Sequence, residues 1–235
     1  MTLFEHIGEL RRRLVFCIIA FVVGGIVSYA IYNQILGFFQ GQYRSVALRL
    51  HQSPNFYTTN VLQGFSTRLD VSAYGGLVIA LPIILYELWK FVTPGMKANE
   101  RKYALPFVVA SLVLFAAGGA TAYLIFPKAL AFLIQSSGAH VKALFAPNSY
   151  ITLVAALMLI FGIAFEFPVV LVALELAGVF GSAALKGFRR WAILLITIFS
   201  AVITPSSDPF SMLALAIPLV VFYEGSIIVG RLLGK

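Results

Sequence analysis

Residues 5–32 read EHIGELRRRLVFCIIAFVVGGIVSYAIY. The stretch changes character at Leu14. Before it stand Glu5, His6, Glu9 and the three arginines 11–13; from Leu14 through Tyr32 there is no charge at all. A hydrocarbon core of about 30 Å needs about 20 helical residues, so this is a membrane-crossing helix with bases at its threshold. It is longer than the apolar region of a signal peptide, and no small-residue cleavage site follows, so it reads as a retained helix. The whole chain has the same character: of 235 residues 60% are hydrophobic and only 11% charged, and the mean hydropathy is +0.95. A soluble domain of this size could not bury that much apolar surface. The net charge of +8 comes from bases lying between apolar runs, not along one stripe. Such spacing fits membrane topology and argues against nucleic acid. The single cysteine, Cys17, lies inside the first apolar run, which excludes a disulfide framework.

The expected fold is all-α: a polytopic integral membrane protein forming a single domain over 1–235. Its six transmembrane helices are placed at about 14–32, 72–91, 104–126, 150–179, 191–204 and 210–229, the last two short. Only 14 residues separate Arg190 from Pro205, about 21 Å of helix, so the bilayer is expected to thin there. The bases set the orientation. Twelve Lys and Arg flank the connections on the side of the termini and five lie on the other, which places both termini in the cytoplasm. The two longer outer connections, about 33–71 and 127–149, are expected to form a cap with short helices.

Soluble-enzyme signatures are missing. There is neither a P-loop nor G-x-S-x-G, and His6, His51 and His140 are scattered. No enzyme activity, cofactor or metal is therefore expected. Segments two, four and six share an echo, LPIILYE, FPVVLVALE and IPLVVFYE, in which a proline precedes Glu87, Glu175 or Glu224. These glutamates read as interfacial groups reaching water or neighbouring bases, or else as an acidic cytoplasmic rim. Glu166, in FGIAFEFPVV, sits midway along the fourth segment, two residues before Pro168. An intramembrane acid is costly and marks a functional site. Glu100, in ELWKFVTPGMKANERKY, lies at the same boundary as Glu9. Two acids there could clamp two adjacent arginines of a partner with bidentate geometry.

These residues carry a resemblance. HIGELRRRL (6–14) resembles the opening of the TatC proteins, the core membrane subunit of the twin-arginine translocase. The likeness continues in order through LPIILYELWKFVTPGM (81–96), NERKY (99–103), YLIFPKALAFL (123–133), FGIAFEFPVV (161–170) and ITPSSDPFSMLALAIP (203–218). Two departures are Ile7, where leucine is usual, and one residue more in TPSSD than in the commoner T-P-P-D. The resemblance implies a multi-pass protein of the inner (cytoplasmic) membrane that binds twin-arginine signal peptides of folded proteins. It further implies assembly with single-span TatA and TatB partners into an oligomeric complex, driven by the proton gradient. On that basis Glu9 and Glu100 recognise the arginine pair, with Arg13 and Phe91 beside them. Glu166 is the intramembrane polar site for a partner, and Asp208 is the acid on the periplasmic side. The alternative is a proton-coupled secondary transporter of a small solute with Glu166 as its coupling acid.

Overall fold

The structure, a computed structural model, describes residues 3–58, 60–92, 104–137, 145–206 and 208–232; for residues 3–6, 92 and 104 it describes the backbone alone. In hydrocarbon every backbone polar group must be paired within its own segment, which leaves the helix as the outcome for these apolar runs. The described residues form eight helices and no strand: α1 Leu3–Ala30, α2 Tyr32–Arg49, α3 Gln63–Val92, α4 Ala104–Ser136, α5 Pro147–Phe165, α6 Phe167–Leu176, α7 Ser182–Ile203 and α8 Pro209–Leu232.

Five spans, Ile7–Ala30, Gln63–Phe91, Leu105–Ser136, Pro147–Leu176 and Pro209–Leu232, are long and apolar enough to cross a membrane. Helix α7 is the sixth membrane element. Lys186, Arg189 and Arg190 occupy its first turns, so its apolar stretch from Trp191 to Ile203 covers only about 20 Å. At 22 and 24 residues, α7 and α8 are the shortest of the six elements.

The fourth segment is not one helix. It breaks at Glu166, whose N–H bonds the Ile163 carbonyl at 3.1 Å, a tightened last turn. Pro168 follows without a donor to continue the ladder. The first outer connection carries α2, an 18-residue helix. Its Tyr43 is buried, stacked on Phe56 with centroids 4.7 Å apart and edge-on to Tyr150 at 5.3 Å. The Tyr57 N–H donates to the Phe145 carbonyl at 3.1 Å, and Gln63 Nε2 to Asn148 Oδ1 at 2.9 Å. Aromatic packing and hydrogen bonds thus tie the two outer connections together.

Small residues let α1 and α3 approach closely, as helix pairs in membranes commonly do. A Cβ on Gly24 would lie 2.6 Å from the Gly76 carbonyl oxygen, and one on Gly76 would lie 2.6 Å from the Gly25 nitrogen. Nearby the Ser28 hydroxyl donates to the Val71 carbonyl at 3.1 Å. The other face of α1 is open: Ile18, Ile19, Val22 and Ile26 are all exposed, as lipid-facing residues are. This α1–α3 pair positions the site described next.

Candidate functional site

On α1, Glu9 and Arg13 stand one turn apart on the same face. Helix α3 brings Glu87 against them. Arg13 Nη2 pairs with Glu9 Oε1, while Nη1 donates to the Glu87 carbonyl at 3.3 Å and to Glu87 Oε2 at 3.4 Å. The side chains of Arg13, Glu87 and Glu9 are 11%, 14% and 23% exposed. One guanidinium is therefore held between two carboxylates from two helices, largely out of water. Beside it lies a cavity of about 320 Å³ lined by these three residues with Arg12, Phe16 and Lys90. Arg12 lies over the Phe16 ring at 5.9 Å and Lys90 Nζ over the Tyr86 ring at 5.5 Å. Cation–π contact of this kind gives each base a seat away from the acids.

Of the residues expected at this end, the structure joins Glu9 and Arg13. Phe91 is half-buried one turn beyond Glu87 and does not line the cavity. Glu100 lies outside the described residues. In the sequence Glu87 is one of three glutamates, interfacial or part of an acidic rim; its place in the clamp is a tertiary fact. The three glutamates have different environments. Glu224 pairs with Arg189, Nη2 to Oε2 and Nε to Oε1 each at 2.6 Å, at an exposed position. Glu175 is buried, and neither of its carboxyl oxygens has a hydrogen-bond partner among the described residues. It faces Gly230 of α8, where any Cβ would overlap its carboxyl group.

Glu166 occupies the α5–α6 break with its side chain half-buried. Its backbone carbonyl still accepts the Val170 N–H at 3.1 Å. Ser111 of α4 lies beside its carboxyl, whose Oε1 has no hydrogen-bond partner among the described residues. The same serine oxygen accepts the indole N–H of Trp89 at 2.9 Å, and Trp89 stacks on Phe107 at 4.8 Å. The end of α3, the first third of α4 and the break in the fourth span therefore meet at one polar point. Asp208 has a different role. Its Oδ1 accepts the Ser211 N–H at 2.8 Å, its Oδ2 takes the Ser206 hydroxyl, and it is 1% exposed. With Pro209 next in the chain, it is the N-cap of α8. The sequence carried that signal, Asp-Pro ahead of an apolar run, although the acid was assigned by resemblance alone.

Residues 5–218 match the family model of the Sec-independent protein translocase protein TatC. The chain belongs to the TatC family. It is 38% identical to the Sec-independent protein translocase protein TatC of Frankia casuarinae over 99% of this chain and 66% of that protein. Identity to the TatC of Magnetococcus marinus is 36%, over 97% and 83%. A crystal structure of the twin-arginine translocase receptor TatC superposes with a TM-score of 0.77 at 31% identity, covering 98% of this chain and all of the other. The family name agrees with the translocase reading and not with the solute transporter. As a TatC-family chain it is a multi-pass membrane protein, and its family is that of a protein translocase component.

Proposed function

We propose that the chain is a receptor for twin-arginine signal peptides and the core membrane subunit of a translocase for folded proteins, driven by the proton gradient. The observation that carries this reading is the Arg13 clamp. Two carboxylates on two helices already hold a guanidinium at the lip of the apolar region. An arriving arginine has the same charge, planarity and fork of donors, so it can exchange for Arg13, which a compact ammonium does less well. Arg12 and Lys90 on the cavity wall repel a cation that arrives out of register. In this reading Glu100 takes the second arginine, Phe91 lies along the path of the apolar segment that follows, and both termini are cytoplasmic. Glu166 receives a single-span partner of TatA or TatB type within an oligomeric complex in the inner membrane. No covalent bond is made or broken, so the chain is not an enzyme.

The test is binding of a labelled signal peptide and its Lys-Lys twin to the purified protein, with Glu9→Gln and Glu100→Gln alongside. The arginine pair should bind more tightly; Glu100→Gln should lose roughly 1.5–3 kcal/mol, or about one to two decades, and Glu9→Gln less, because there one guanidinium replaces another. Equal binding of the two peptides would sink the proposal.

A further inference from the structure

We propose that the apolar cavity walled by α2, α3, α4 and α5 is a binding site for one phospholipid, whose acyl chain fills it and whose phosphate rests on Arg68. The cavity has a volume of about 680 Å³, and Ile31, Phe38, Val78 and Met158 are among the residues that line it. That lies within the range of about 300–1,000 Å³ typical of ligand sites. In a membrane its solvent is hydrocarbon, and an apolar wall gives water no partners.

Arg68 supplies the charged end. It lies on α3 about one turn before Val71 and two before Gly75, both lining residues. Its guanidinium carbon lies over the Tyr29 ring, 4.1 Å from the centroid, and 5.3 Å from that of Tyr32, the residue after the lining Ile31. Nη2 donates to the Tyr29 carbonyl at 3.4 Å. Among the described residues Arg68 forms no ion pair. The two rings hold the guanidinium in place, and its remaining donors suit a phosphodiester, the group that a flat fork of donors matches best.

An acyl chain fits this space better than a partner helix does. A helix is about 10 Å across, and a cylinder of that width and this volume is under about two turns long. A flexible chain of methylenes can follow the irregular walls.

The experiment uses the purified chain in nanodiscs containing phosphatidylglycerol with a photoreactive acyl chain. Labelled residues are mapped by mass spectrometry. Labelling should concentrate on cavity residues and fall about tenfold in Arg68→Gln, the loss of one charge-assisted contact. Arg68→Lys should restore most of it. Ala120→Phe, which places a ring in the cavity from a lining position, should abolish it. Diacylglycerol with the same chains should label as weakly as Arg68→Gln. A thermal midpoint for each variant shows that the fold is kept. Undiminished labelling in Arg68→Gln would overturn the proposal, as would equal labelling by diacylglycerol. So would labelling of the lipid-facing Leu124, 75% exposed, as strongly as the cavity, or photocrosslinks from cavity residues to a partner helix in place of lipid.

Discussion

Replacing Gly76 with alanine tests how closely α1 and α3 have to meet. The new methyl would lie 2.6 Å from the Gly25 nitrogen and 2.7 Å from its Cα. Both are backbone atoms of a helix and cannot rotate aside. Carbon atoms rest at about 3.5–4.0 Å, so the helices must part by roughly 1 Å, and a gap of about that size forfeits a quarter to a half of each dispersion contact across it. Overpacked interfaces typically cost about 1–3 kcal/mol. In a protein of this size that lowers the melting midpoint by about 2–4 °C per kcal/mol, so about 4–8 °C is expected for a cost near 2 kcal/mol. Gly24→Ala meets the Gly76 carbonyl at 2.6 Å and opens the same gap. The double variant should therefore lose less than the sum of the two. The wedge also acts at a distance. Arg13 rides on α1 and Glu87 on α3, joined by bonds of 3.3 and 3.4 Å that are already long. Splayed helices should open the clamp and change peptide affinity. Thermal unfolding in detergent, with peptide binding measured on the same samples, decides the matter. An unchanged midpoint in Gly76→Ala, or strict additivity in the double variant, would refute the reasoning.

Other perturbations follow from single contacts. Gly37 on α2 has open space around its Cα, so Gly37→Ala should stabilise by about 0.5–1 kcal/mol, seen as a higher melting midpoint. Asp208→Ala removes the α8 cap and should cost about 0.5–2 kcal/mol, with Asp208→Asn losing less; the comparison is made by thermal unfolding. Glu175→Met replaces a buried carboxyl lacking partners among the described residues and should raise stability by about 1–3 kcal/mol. A lower midpoint there would show that the carboxyl has a stabilising contact.

Much of the fold is legible because the bilayer imposes it. A run of about 20 apolar residues in hydrocarbon settles into a helix, so the five long spans follow from length, while the short α7 does not. The pairing of Glu9 with Arg13 is also local, four residues along one helix. The acid that completes their clamp is not. Glu87 lies 74 residues from Arg13, and nothing in LPIILYE distinguishes it from Glu224, which meets Arg189, or from Glu175, which is buried against α8. The break at Glu166 was only half legible. Pro82, Pro127 and Pro218 remain inside continuous helices, while Pro168 follows an interruption. A missing donor marks a weak place; the surrounding packing decides whether the helix parts there.

An acid among bases at the edge of hydrocarbon acquires a physical meaning from the clamp. Two carboxylates mostly out of water and without a counter-ion would be costly to maintain, and Arg13 offsets that cost while the receptor is empty. The same arrangement limits what one arriving arginine can gain. If it displaces Arg13 it exchanges a guanidinium for a guanidinium, and the displaced side chain must find water or another partner. Net affinity then has to come from the second arginine and from the apolar segment behind it. A peptide whose one arginine takes the Arg13 place should therefore bind within about threefold of the lysine pair, while one whose arginine takes the second place should exceed it by about one to two decades. Titration of the four Arg/Lys combinations measures this directly. A gain that is equal and additive for each arginine would show that no exchange with Arg13 takes place, because exchange makes the first arginine nearly neutral and leaves the discrimination to the second.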